Sequence, residues 1–478
     1  MTRSVSSWIV SGVLAAVLLG GCALGPNYKR PQTAEPSTFR GQTTTGAASL
    51  ADAPWWDVFE DPILKYLIQE SLRANYDVKI AAARVQEARG LLGIARSELF
   101  PSFDYGVGAG RANALSGPFG GIAVKAPRAS DAYSATMNAS WEIDIWGRVR
   151  RSNEAALAVL LGTEDAQRGV WLTLVSDVAQ AYFELLALDV RLQIARDSTD
   201  AFQRTYNLFL DRFQQGAASR LETARALGAL GGAQAVVPQL ESEIVAKENQ
   251  IGILLGHVPA PIPRGTPMYS QPVAPTVPTG LPSTLLERRP DLRQAEQQLV
   301  SANARIGVAK ADFFPKLSLT ALFGTASPEL SALTSGGATV WAVAGLLSGP
   351  LFNAGRTLGN YRATVAQWEQ AKFQYEYVVI SAFREVSDAL AALGKLAEAE
   401  TGQETSVKAL TEAVERSTDR YRIGLANYFE VLEALQQLYP AQNALALIRR
   451  DRLLAHVRLY KALGGGWNLT DAQWNEPR

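Results

Sequence analysis

The stretches "RFQQGAASRLETARA" (Arg212–Ala226) and "RYRIGLANYFEVLEA" (Arg420–Ala434) are one phrase written twice. Each closes a long proline-free run at a glycine, Gly216 or Gly424, and opens a second run a few residues later. Glycine suits the left-handed backbone that ends a helix, and the small turns "QGAAS" and "IGLAN" suit helix capping and chain reversal. The spacing of 208 residues between Arg212 and Arg420 recurs elsewhere. "IWGR" ends at Arg148 and "NAGR" at Arg356, while "LLG" ends at Gly256 and "ALG" at Gly464. "ARSELFPSFDYGVG" from Ala95 answers "AKADFFPKLSLTALFG" from Ala309. A self-similar period of this size decides the fold before any single element does: the chain is a duplicated unit.

The runs before the glycines, 148–215 and 356–423, contain no proline. As helices at 1.5 Å per residue, each would reach about 100 Å. Helices of such length read as coiled coil or helical array. Return helices follow at 220–255 and 428–463, with local bends expected at Pro238 and Pro440. An earlier helix opens each copy, with Asp77 or Asp291 placed to cap it. Its apolar positions step by three and four: Val78, Ala81, Val85, Ala88 and Leu92, then Leu292, Ala295, Leu299, Ala302 and Ile306. That is a heptad seam.

Pro101 and Pro315 break these helices, and the period becomes two. Tyr133, Ala135, Met137, Ala139, Trp141, Ile143 and Ile145 alternate with polar neighbours, as do Phe103, Tyr105 and Val107. Leu317, Leu319, Ala321 and Phe323 repeat the pattern, whereas 339–347 alternates poorly. The reading is one hairpin per copy, at about 102–145 and 316–351. A half-buried soluble sheet shows the same alternation. Strand length and the edge aromatics Trp141, Trp146 and Trp341 favour transmembrane strands, which need ~9–11 residues.

The flanks complete the organisation. Residues 55–256 and 283–464 form the two copies, joined by a linker at 257–282 that is dense in proline (Pro259, Pro261, Pro263, Pro267, Pro272, Pro275, Pro278, Pro282). Such a segment reads as extended chain. Residues 22–54 form a second extended segment, and 465–478 a tail. Residues 1–21 have a positive start at Arg3, an apolar run from Trp8 to Leu19 and small residues before Cys22, the layout of a signal peptide. The run is shorter than the ~20 residues of a membrane span. Cys22 is the one cysteine in 478 residues, so no internal disulfide closes. Charge is balanced at 46 basic and 46 acidic residues, which points away from nucleic acid. One cysteine and two distant histidines, His257 and His456, offer no catalytic set, and no G-x-x-x-x-G-K-[ST] run occurs. The chain reads as a non-enzyme without metal or other cofactor.

Four strands leave open edges, which lipid does not tolerate because unpaired backbone groups find no water there. Several chains sharing one barrel solve this. Three give twelve strands under closed symmetry, although two or four also satisfy the arithmetic.

"LGGC" resembles the lipobox of bacterial lipoproteins. "GPNYKRP" at Gly25, "WWDVFEDPILKYLIQESLRANYDVKIAAARVQEAR" at Trp55, "LLERRPDLRQAEQQL" at Leu285, "FFP" at Phe313, "GPLFNAGR" at Gly349, "YRIGLANYFEVLEA" at Tyr421 and "YKALGGGW" at Tyr460 together resemble outer-membrane efflux lipoproteins of the TolC/OprM type, in the branch serving resistance-nodulation-division pumps. The resemblance implies a mainly α, tandem-repeat TolC-like protomer with membrane β: four strands in a 12-stranded trimeric barrel, plus a long α-helical barrel in the periplasm of a Gram-negative cell. It implies a diacylglycerol and an N-acyl chain on Cys22. Ala23 in place of Asp implies the outer membrane. It implies a homotrimeric exit duct for drugs or other small toxic compounds, meeting a periplasmic adaptor (membrane fusion protein) and, through it, an inner-membrane transporter. Onto this chain the family's gate maps at Glu430 and Glu433, with Tyr421 partnering an acid where Glu222 falls. Adaptor docking maps at Gly216, Ala217, Ala218 and Ser219, and at Gly424, Leu425, Ala426 and Asn427. Ala426 departs from an arginine in some relatives, which leaves Arg220 or Arg422 to replace that latch.

Glu430 and Glu433 share a helix face by their spacing. A solvated coiled-coil surface has the same spacing; facing a lumen, three copies would form a cation-favouring ring. Two rival functions remain at this stage: a duct for one-step protein secretion, and a non-conducting coiled-coil scaffold of the envelope, which leaves the amphipathic hairpins unexplained.

Overall fold

The computed structural model describes residues 23–33, 36–41, 49–115, 124–272, 279–280, 282–334, 336–466, 468–470 and 473–474. The expected signal segment and Cys22 lie outside the described residues. In chain order the elements are α1 (Trp55–Val58), α2 (Pro62–Ala74), α3 (Tyr76–Ser97), β1 (Ser102–Leu115), β2 (Val124–Ile143), α4 (Arg148–Gln214) and α5 (Arg220–Leu254). The second copy gives α6 (Leu285–Arg288), α7 (Pro290–Ala311), β3 (Lys316–Ser327), β4 (Thr339–Ser348), α8 (Arg356–Arg422) and α9 (Tyr428–Ala462). Two compact units interleave along the chain. One comprises 84–164 and 294–376 with the described residues of 1–32, the other 165–293 with the described residues of 33–83 and 377–478.

The first unit holds the sheet. Its order is β1-β2-β3-β4, and every pairing is antiparallel. The two hairpins are joined through β2 and β3, in register from Tyr133 opposite Ser327 to Ile143 opposite Leu317. That register lines up Tyr105, Met137, Phe323 and Trp341 in one row across four strands. All four are exposed, Tyr105 at 87% and Trp341 at 72%. The row behind them is Phe103, Ala139, Ala321 and Val343. Rows on the other face are more polar, such as Asp104, Asn138, Leu322 and Ala342. β4 alternates poorly because Val340, Ala342, Ala344 and Leu346 make its second face apolar too. The outer edges of β1 and β4 have no strand partner among the described residues.

Below the sheet, the N-terminal segment crosses the roots of both copies. The Leu24 N–H donates to the Trp146 carbonyl at 3.0 Å. Buried Arg151 donates to Leu24 O and Asn27 Oδ1, and Asn303 Nδ2 donates to Pro26 O. Arg30 and Tyr28 both donate to Glu296. The crossing requires two glycines. A Cβ on Gly307 would lie 2.6 Å from Leu24 O and 2.8 Å from Arg151 Cγ, and Gly25 (φ +97°) meets Gly307 backbone to backbone. Glu296 on α7 and Arg151 on α4 thus make "GPNYKR" a strap between the repeats.

The second unit is helical, with a core of Trp55, Leu64, Trp171, Tyr182, Leu453 and Tyr460, all nearly solvent-free. The most apolar stretch of α4 is long enough to cross a bilayer, but most of it is buried. The linker is docked rather than free. Asp61, the N-cap of α2, accepts from Ile63 and Leu64 N–H through one oxygen. Its other oxygen accepts from Tyr182 Oη, Thr266 N and Gln271 Nε2. Arg264 pairs with Asp189 at 2.8 Å. His257 Nε2 sits 3.1 Å from Glu70 Oε1, where Arg73 beside Glu70 holds that carboxyl low.

Two expected caps are corrected. α3 is capped by Asn75, whose Oδ1 accepts from Asp77 and Val78 N–H; Asp77 lies inside the first turn. α7 starts at Pro290, because proline suits the first helical position, so Asp291 is already helical and binds Arg289 at 2.7 Å. The seam residues Val85, Ala88 and Leu92 are buried, as are Leu299 and Ile306.

Gly307→Ala tests the strap. Alanine favours the helix by about 1 kcal/mol over glycine, yet its methyl strikes Leu24 O. The expected outcome is an intact helix signal by circular dichroism with several-fold faster trypsin cleavage after Lys29.

Candidate functional site

The two inter-helix turns are built alike. After α4, Gly216 (φ +74°) lets the Ala217 N–H reach back to Arg212 O at 2.7 Å and its own N–H to Phe213 O at 3.0 Å. After α8, Gly424 (φ +78°) does the same with Leu425 to Arg420 O and Gly424 to Tyr421 O. This is the six-to-one, five-to-two bonding of a Schellman closure. A Cβ at either glycine would meet nothing within 4 Å, so the backbone sign alone demands glycine.

The next residues diverge. Ser219 caps α5 in a reciprocal box: Glu222 N–H donates to Ser219 Oγ, and Ser219 N–H donates to Glu222 Oε2 at 2.7 Å. That backbone N–H, aided by the Ser219 side chain, holds the Glu222 carboxyl below the usual range. Asn427 caps α9 alone, accepting from Phe429 N–H at 2.9 Å. Glu430, the repeat counterpart of Glu222, faces Arg420 Nε at 3.7 Å. Glu433 is exposed and accepts from Gln437 Nε2 at 3.5 Å. Around the turns Leu221, Ile423, Leu425 and Phe429 are all more than half exposed.

Aromatic rings join the repeats behind the turns. Tyr421 packs edge-on against Tyr428 at 4.9 Å, and Tyr428 against Phe209 at 5.2 Å. The Arg212 guanidinium lies 5.1 Å over the Tyr421 ring. Thr205 gives its one hydroxyl hydrogen to Ala201 O, so Tyr428 donates to Thr205 Oγ1 at 2.6 Å. Burial pushes the Tyr428 phenol up.

The expected pairing of Tyr421 with Glu222 is absent within the chain. The Tyr421 hydroxyl is buried without a hydrogen-bond partner among the described residues, while Glu222 is spent on its own cap. Glu430 faces Arg420, and Arg422, one of the candidates for the latch, faces Asp419 on its own helix at 3.8 Å. Arg212 and Arg420 occupy one repeat position, and this was the available signal. Sequence spacing did not reveal that one would stack on a ring and the other pair with an acid.

Comparison with known proteins places these elements. Residues 67–257 and 281–465 match the family described as outer membrane efflux protein. The chain belongs to this family. The probable efflux pump outer membrane protein TtgC of Pseudomonas putida is 35% identical over 488 residues, covering 100% of this chain and 98% of TtgC. The cation efflux system protein CusC of Escherichia coli is 33% identical, covering 95% and 97%. Among solved structures, the open-state outer membrane channel MtrE of Neisseria gonorrhoeae aligns with a TM-score of 0.84 at 31% identity, over 93% of this chain and 99% of MtrE. The fold is thus that of the TolC-like outer-membrane channels, built on two matched segments.

Ser219→Ala should remove the cap at about 1 kcal/mol, a factor of about five in local opening. Hydrogen exchange at Glu222 and Thr223 is expected to quicken by that factor. Because the Glu222 carboxyl is depressed in the folded state, its half of the box holds at neutral pH and is lost as pH falls through the lowered value. Glu222→Gln should abolish that acid-dependent step.

Proposed function

We propose that this outer-membrane efflux protein is the passive, homotrimeric exit duct of a tripartite pump. One observation carries the reading: a four-stranded sheet with one exposed apolar face and, among the described residues, both edges unpaired. In lipid the apolar rows of Tyr105 and Phe103 meet acyl chains, and the edges demand neighbouring copies. Three copies give twelve strands, and the polar rows of β1 and β2 then line the lumen. The helical part lies in the periplasm.

The turns Gly216–Ser219 and Gly424–Asn427 dock the helical hairpin of a periplasmic adaptor, helped by the exposed Leu221, Ile423, Leu425 and Phe429. Glu430, Glu433, Glu222 and Tyr421 belong to the gate. Arg420 offsets part of the Glu430 charge, so the acids of three copies approach with less repulsion than bare carboxylates. The adaptor and a resistance-nodulation-division transporter open the tip by binding the open arrangement better than the closed one. The transporter supplies the energy and most of the substrate selection. Cys22 carries a diacylglycerol and an N-acyl chain, anchoring the segment whose next residues form the strap.

The test is drug accumulation in cells lacking the protein, with and without the partner pump, joined to single-channel conductance of the purified protein. Accumulation should rise only where the pump is present. Unchanged accumulation with no conductance overturns the reading. Glu430→Cys should cross-link between subunits, with the linked fraction falling when adaptor and pump are co-expressed. Cys22→Ala behind a cleavable signal should still yield trimers, at lower efficiency; complete failure to assemble counts against the barrel.

A further inference from the structure

The internal repeat supplies a template for a contact that one chain cannot make with itself. At the inner seam, where β2 ends and β3 begins, Trp146 packs on Phe314 with ring centroids 4.7 Å apart. Trp146 Nε1 also donates to Pro315 O at 2.8 Å. In the repeat, Phe314 corresponds to Phe100 and the segment ending at Trp146 to the one ending at Ala354. These counterparts stand at the two outer edges of the sheet. Phe100 precedes β1 and is 68% exposed, while Leu351 and Phe352 follow β4 at 105% and 90%.

The exposed pair is held in place. A Cβ on Gly349 would lie 2.9 Å from Pro315 Cα, so the loop rests against the root of β3. Asn353 Nδ2 donates to Thr357 Oγ1, and Arg356 N–H to Asn353 O. Ala354 adopts φ +51°, a left-handed conformation costly for a residue with a Cβ. On the other edge, Trp141 Nε1 donates to Leu99 O at 3.1 Å and fixes the chain leading to Phe100. Two ordered loops thus present apolar side chains to solvent at the roots of the two unpaired edges.

We propose that Leu351 and Phe352 pack on Phe100 of the partner subunit, forming the intersubunit counterpart of the Trp146–Phe314 seam. The proposal rests on the oligomeric barrel above. β4 runs toward its root and β1 away from it, so a β4 edge beside a β1 edge is antiparallel, as at β2–β3. Neighbouring strands stand about 4.8 Å apart, within reach of these side chains. Ala354 offers no ring where the inner seam has Trp146, and Leu351 and Phe352 supply the missing apolar surface. A second copy is favoured over lipid because the intrachain seam shows the same roots already paired.

The test places Phe100→Cys and Phe352→Cys in one full-length chain and oxidises outer membranes with copper phenanthroline. The expected result is a ladder ending at a covalent trimer on denaturing gels, at least ten-fold above either single-cysteine variant and the unaltered chain with Cys22. In parallel, Phe352→Asp should lower the temperature at which the detergent-solubilised trimer dissociates. Trimers on non-denaturing gels, with no ladder above the controls and no shift for Phe352→Asp, would overturn the seam and assign Phe352 to lipid while leaving the duct intact. Failure of the unaltered chain to form trimers would overturn the seam and the trimeric reading together.

Discussion

The unpaired edges of β1 and β4 are the constraint on which the rest depends. A backbone N–H or C=O without a partner in hydrocarbon costs several kcal/mol. An open four-stranded sheet with an apolar outer face is therefore untenable alone in a membrane and unnecessary in water. In the proposed duct, copies of the same chain close the sheet, and symmetry carries every helix that leaves a strand root into a ring with its counterparts. The strap of residues 24–30 acts at this level. It ties α4 of one repeat to α7 of the other beside the two central strand roots.

Duplication explains both the economy of the fold and its asymmetry. The same Schellman turn follows α4 and α8 because Gly216 and Gly424 occupy one repeat position. The residues beyond it have diverged. Ser219 with Glu222 makes a closed capping box, whereas Asn427 caps without its acid and leaves Glu430 for Arg420. One copy thus uses its carboxylate to finish a helix, and the other keeps a carboxylate in play. In the proposed three-fold ring a two-fold repeat would otherwise impose near six-fold equivalence on the tip, and this divergence distinguishes one set of helix pairs from the other.

Local rules made much of this legible in sequence. The period of two from Tyr133 to Ile143 and the proline-free run from Arg148 needed no tertiary information, because alternation and helical length are properties of neighbouring residues. What stayed hidden depends on partners far along the chain. Asn75 rather than Asp77 is the cap because the helix starts two residues earlier, and its Nδ2 also reaches Leu254 O. The proline-rich linker reads as extended chain, yet Asp61 accepts from Thr266 N and Gln271 Nε2 within it. β4 alternates poorly because Val340, Ala342, Ala344 and Leu346 fill its second face, opposite Gly324, Leu322, Thr320 and Ser318 on β3. For the proposed gate, the family resemblance pointed to Glu430 and Tyr421, while the choice of Arg420 and Arg212 as their neighbours required the fold.

The distribution of interactions also bears on how such a tip changes state. The helical core is aromatic and solvent-free around Trp55, Trp171 and Tyr460. Near the turns the Arg420–Glu430 pair is exposed, each partner about half accessible, and such pairs are worth about 0–1 kcal/mol. The ring contacts of Tyr421 and Tyr428 add about 0.5–1.5 kcal/mol each, over a smaller buried cluster that includes Phe202, Leu230, Val431 and Leu432. A partner that binds one arrangement tenfold better than the other contributes about 1.4 kcal/mol per site, comparable to any one of these ties. Several engaged sites around the proposed ring would therefore outweigh these ties together, which is what the proposed partner-operated gate requires.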